Sequence, residues 1–191
     1  MSQPRTDTPT LARPGGATPL CRVVCGLVWL VGLWACTPAL NWRDVRFDNA
    51  RLIGWLPCKP DTAERSVTLE GRSTPLRLMG CEADGMDFTL AQLQLPERFS
   101  AQQAQQAWQA ASLSSLQAAA VLSSQDWTLG GSSSALVPQR VVAQGGQGVT
   151  ARWAWFAYDG QLYQAAVYAR ASRAARADQA MDTLVSGLRL P

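Results

Sequence analysis

TARWAWFAYDGQLYQAAVYA (150–169) carries two apolar, aromatic-rich runs, residues 150–158 and 162–169, on either side of Asp159-Gly160. Both central residues of a type I′ turn need positive φ, which glycine adopts freely and aspartate tolerates, so the stretch predicts a β-hairpin. Working towards the C-terminus, residues 174–188 place Ala177, Met181, Leu184, Val185 and Leu188 on one face of a helix. Working towards the N-terminus, residues 145–148 (GGQG) form a turn, residues 140–143 a strand and residues 123–134 a loop. Before that loop, Ser100 is placed to cap a helix that runs to about Leu122, with Ala104, Trp108, Ala111 and Leu116 along one side. Pro96 closes an earlier run of four strands read as a meander: 52–56, 65–70, 76–83 and 86–90. Gly80 suggests a bulge that returns Cys81 and Ala83 to the face of Leu76 and Leu78. Strands, helix, strands and helix in this order predict an α+β fold, an antiparallel β-sheet with helices packed on it.

The 191 residues suit one domain and an appendage. The appendage is residues 1–39. An arginine-bearing polar start leads into LCRVVCGLVWLVGLWACTPAL (20–40), the layout of a positively charged region followed by an apolar one, so the segment reads as a signal peptide or membrane anchor. Its clean apolar stretch, 23–40, lies between a cleavable signal and a short spanning helix, and both outcomes stay open. Thr37-Pro38-Ala39 offers the small residues that a signal peptidase needs for a cut after Ala39. Leu33-Trp34-Ala35-Cys36 resembles the lipobox of bacterial lipoproteins, with Trp34 standing where the motif prefers a small residue. That resemblance implies lipidation at Cys36, where several acyl chains would hold the protein to a membrane. Residues 40–50 are read as a polar tether and residues 51–191 as a single α+β domain.

Three of the five cysteines fall in the leader and leave one pair, Cys58 and Cys81. In an oxidising compartment such a pair is most simply a disulfide. The chain contains no histidine, which excludes Ser-His-Asp and Cys-His catalysis and the commonest zinc ligand. Lys59, the sole lysine, sits in a turn beside Pro60 with no serine at the spacing of a Ser-Lys pair. Glu82, Asp84 and Asp87 around Gly85 offer hard oxygen atoms but lack the twelve-residue calcium frame. No catalytic residue, metal ligand or cofactor is therefore assigned. Beyond the leader, basic and acidic residues nearly balance and no basic stripe with interleaved aromatics is present, so nucleic acid is not an expected partner. The aromatics are the remaining lead. Trp153 and Trp155 share a strand face, Phe156 and Tyr158 lie on the opposite face, and Tyr163 and Tyr168 lie on the neighbouring strand; most of these pack as core in a fully covered sheet, whereas an incomplete helix layer leaves an aromatic groove for a peptide, lipid or glycan, for which Trp153, Trp155 and Tyr163 are the candidate residues.

The Leu56-Pro57-Cys58-Lys59-Pro60 turn, the mid-chain helix, the hairpin with Asp159-Gly160-Gln161-Leu162-Tyr163-Gln164 and the closing Ser186-Gly187-Leu188-Arg189-Leu190 together resemble the PsbP-like α/β/α sandwich over residues 41–191. The start, from Asn41-Trp42-Arg43 to Cys58-Lys59-Pro60, is similar to small betaproteobacterial lipoproteins. The resemblance implies an exported envelope protein, attached to the membrane by its N-terminal segment or a lipid, that binds an envelope protein or a small ligand. It carries over no catalytic residues, and fold likeness alone does not settle function. The alternatives are a small hydrolase or transferase built on Glu82, Asp84 or Asp87, or a structural module of an inner-membrane assembly.

Overall fold

The computed structural model describes residues 40–69, 71–95 and 100–191, so the leader, its two cleavage sites and Cys36 lie outside the described residues. Seven antiparallel strands form one sheet in the order β3-β4-β5-β9-β8-β7-β6. They are β3 (Asp61–Leu69), β4 (Arg72–Ala83), β5 (Met86–Gln94), β6 (Ala120–Asp126), β7 (Gln139–Gln144), β8 (Val149–Tyr158) and β9 (Gln161–Arg170). A separate ribbon pairs β1 (Arg43–Val45) with β2 (Gly54–Leu56). Two helices, α1 (Ala101–Ser115) and α2 (Ala174–Ser186), pack on opposite faces of the sheet.

The 150–169 hairpin is the centre of the molecule, as its composition requires. Every residue of β8 after Val149 is buried, because a strand covered on both faces has no polar side to show water. Asp159 (φ 51°) and Gly160 (φ 71°) turn the chain as expected, and the two-residue loop fixes the register at Tyr158 opposite Gln161.

α2 lies where its apolar face predicts, with Ala177, Ala180, Met181, Leu184 and Val185 buried against Phe88, Phe156 and Val167. Arg152, almost wholly buried, anchors its first turn: it donates to Asp178 Oδ1 (2.6 Å), to Thr150 Oγ1 (2.7 Å) and to the Ala174 carbonyl (2.9 Å). At the far end the helix stops against Trp55, whose Cβ would stand 2.6 Å from any Cβ at Gly187. The β1–β2 ribbon completes this layer. Val45 and Phe47 are buried in it, so the stretch read as a polar tether contributes to the core.

Three expectations need correcting. β2 pairs with β1 and not with β3, so the meander in the large sheet has three strands, β3-β4-β5. Gly80 makes no bulge, since β4 keeps continuous register from Gly80 opposite Thr89 to Cys81 opposite Phe88. Cys81 therefore faces the α2 side, where it forms a disulfide with Cys58 across a Cα separation of 6.0 Å. The mid-chain helix begins at the Ser100 cap, whose hydroxyl accepts from the Gln103 amide at 3.1 Å, but ends at Ser115. Gln117 then takes a left-handed conformation (φ 50°) and the chain re-enters the sheet as β6, an edge strand exposed at every position.

Candidate functional site

Side-chain parity decides where the aromatics go. Trp153 and Trp155 point to the α1 side, while Phe156 and its register partner Tyr163 point to the α2 side and stack at 5.2 Å. All of them are fully buried. The structure thus brings Trp153 and Trp155 together, with ring centroids 5.6 Å apart, and places Tyr163 across the sheet from them. Burial pushes the Tyr163 phenol up to about 12. Neither the Tyr163 hydroxyl nor the Gln92 amide has a hydrogen-bond partner among the described residues.

The helix layer on the α1 side is incomplete. α1 buries only Ala101, Ala104 and Gln105, and it lies over β7, β8 and β9 with Trp108, Leu113 and Leu116 against the two tryptophans. On the β3-β4-β5 half of that face, Leu76 and Leu78 stay partly open. Between the helix and this half runs a groove of about 540 Å³. Its sheet wall includes Val67, Leu76 and Leu93; the helix wall is Ala107, Ala111 and Ser115, small residues that keep the space open. Trp108 forms part of the helix wall, and Gln164 and Tyr168 come from β9. Among the described residues, no charged side chain lines it.

The polar groups in the groove are held in place. Gln164 Nε2 donates to Ser112 Oγ at 3.1 Å, which ties β9 to α1. The Trp153 indole donates to Tyr168 Oη at 3.0 Å, and their rings meet edge to face at 6.3 Å. Burial raises the Tyr168 phenol above its ordinary value, with the Trp153 bond a smaller opposing effect, so it stays protonated at neutral pH. An apolar cleft of this size with a few fixed polar groups is the usual form of a small-molecule site.

The sequence marks Tyr168 only as one aromatic of its strand and gives Gln164 no role, yet a signal for both was there. The two-residue turn fixes which β9 residues oppose which β8 residues, and alternation from it places Gln164 and Tyr168 on the tryptophan side and Tyr163 on the other.

The acids do not converge. Asp84 is held by Arg173 (3.0 Å) and Arg176 (2.7 Å), while Glu82 and Asp87 face each other across β4 and β5 as exposed residues. Among the described residues no group of three or more Cys, Asp or Glu side chains is placed to hold a metal ion, and no helix is long and apolar enough to cross a membrane. Lys59 is exposed.

No protein-family model matches the chain, and no curated protein matches it. Among solved structures it is similar to the solution structure of cyanobacterial PsbP (CyanoP) from Synechocystis sp. PCC 6803, with a TM-score of 0.55 and 11% identity over 84% of this chain and 99% of that one. At that identity the likeness speaks to architecture alone. With a large antiparallel sheet between two helices in both its own geometry and this match, the domain has a PsbP-like α+β fold.

Proposed function

We propose that this domain is a non-catalytic binding module of the bacterial cell envelope that takes a neutral, largely apolar small ligand into the groove beside α1. The groove carries the reading: its described lining is uncharged, it has the volume of a small-molecule site and it is floored by β9, one of the best-buried strands. Its chemistry suits binding, since the polar groups lining it among the described residues are an amide, hydroxyls and a phenol, with no nucleophile and base placed together. The compartment is argued from two directions. The apolar leader reads as an export or anchoring segment, and the Cys58–Cys81 bridge belongs to an oxidising space. Attachment is through lipid on Cys36 or through the uncleaved leader.

Native mass spectrometry of the full chain tests both parts. With Nile red, a flat neutral dye, the protein forms a one-to-one adduct that Ala111→Trp abolishes. Ala111 is exposed on the groove rim, so the larger ring fills the groove without disturbing the core. Undiminished dye binding by a folded Ala111→Trp protein rules the groove out. The same spectra read the N-terminus: diacylated Cys36 means a lipoprotein, Leu40 a processed periplasmic form and Met1 an anchor. Intact protein dissolved in the cytosol removes the envelope assignment.

A further inference from the structure

We propose that the groove selects an elongated neutral molecule with an apolar middle and a hydrogen-bonding group at each end: an acceptor held by the Tyr168 hydroxyl and a donor held by the Gln164 side-chain carbonyl. This rests on the groove being a ligand site, and it specifies what that ligand looks like.

An indole N–H can only donate, so at 3.0 Å from Trp153 Nε1 the Tyr168 oxygen is the acceptor of that bond. Its own proton is thereby turned elsewhere, and it meets no acceptor among the described residues. Gln164 adds the complementary group. Its Nε2 uses one of its two N–H bonds on Ser112, and its Oε1, on a side chain only 5% exposed, accepts from no partner among the described residues. One end of the site thus offers a donor and the other an acceptor.

Their separation sets the ligand's length. The two residues lie on the same face of β9, four positions apart, so their Cα atoms are about 13 Å from one another at the usual rise per residue. Between them on that face stands Ala166, small and fully buried. α1 lies along the same line, with Ala101 and Ala104 near Leu162 at one end and Leu116 near Tyr168 at the other. The long axis of the groove therefore follows β9. The described lining residues carry no charge, so the groove favours a neutral ligand: an ion moved there would lose its water without a charged partner on those walls.

The test is a native mass-spectrometric titration of the full chain with 1,10-decanediol, 1-decanol and decanoate. The diol, with a hydroxyl at each end that donates or accepts, binds tightest, decanol more weakly and decanoate least. Tyr168→Phe and Gln164→Leu each weaken the diol by about three- to tenfold, the value of one hydrogen bond. Two variants at opposite ends guard against one of them failing to fold, and thermal melts check both. If both variants bind the diol as tightly as the wild type while Ala111→Trp abolishes it, the two-ended recognition is wrong and the groove survives. Equal binding by Ala111→Trp removes the groove itself, and preferential binding of decanoate overturns the selection for neutral ligands.

Discussion

The two faces of this sheet are built to different standards. On the α2 side the helix, the β1–β2 ribbon and the C-terminal residues close over a continuous core, pinned by the buried Arg152 and by the disulfide. On the α1 side a helix of alanine, glutamine and serine covers half the sheet, buries three residues and leaves a groove over the other half. Stability and a binding surface compete for the same apolar area, and under the function proposed above they fall on opposite faces. The face that holds the molecule together needs no cavity. The face that carries the groove gives up packing to have one.

The sharpest way to break this contrast is to truncate one aromatic on each side. Phe88→Ala, fully buried on the α2 side, should cost about 3–5 kcal/mol in urea unfolding. Trp108→Ala, half-buried beside the groove, should cost clearly less and remove dye binding. Equal losses would mean that both layers bear load alike. Replacing Cys58 and Cys81 together by serine should lower stability by about 3 kcal/mol, the chain-entropy value for a loop of this size. Reductant acting on the wild type should reproduce that loss, and no change under either treatment would take the bridge out of the account.

Smaller effects sharpen the comparison. Ser100→Ala removes the α1 cap and should cost about 1 kcal/mol. Hydrogen exchange should then quicken in α1 while α2 amides are unchanged; acceleration in both helices would show that the layers unfold together. The alkaline limb is the mildest probe. Tyr163 keeps its proton up to about 12 in the fold, whereas an unfolded tyrosine releases it near 10. Between those values the unfolded state binds fewer protons, so stability is intact below pH 10 and falls as pH rises towards 12. Tyr163→Phe should flatten that fall in pH-dependent melts, and an unaltered slope would mean that another group sets it.

Much of the better-packed face was legible in the sequence. Asp159-Gly160 between two apolar runs identified the hairpin, the spacing of Met181, Leu184 and Val185 identified α2, and the count of cysteines outside the leader identified the bridge. The thinner face was harder for physical reasons. From Leu116 to Asp126 no glycine or proline marks the end of a helix, and Ala-Val-Leu-Ser-Ser continues its pattern. The break is made by Gln117 in a left-handed conformation, which its side chain does not announce. The groove is equally quiet. Apart from Trp108 and Leu116, its helix wall consists of alanines and serines, so what makes the groove is missing bulk and the placement of α1, and neither is written in any motif. Trp153 and Trp155 were found because they are large. They lie beneath α1, and the groove is lined by Tyr168 and Gln164 on the next strand.

The most direct test of the division of labour uses indole N–H resonances of the full chain during titration with 1,10-decanediol. Trp108, Trp153 and Trp155 report on the α1 face, and Trp42 and Trp55 on the α2 face. Saturable shifts at the first three with the other two still would place the ligand beside α1, as the account requires. Shifts at Trp42 and Trp55, or saturation without movement at Trp108, would contradict it.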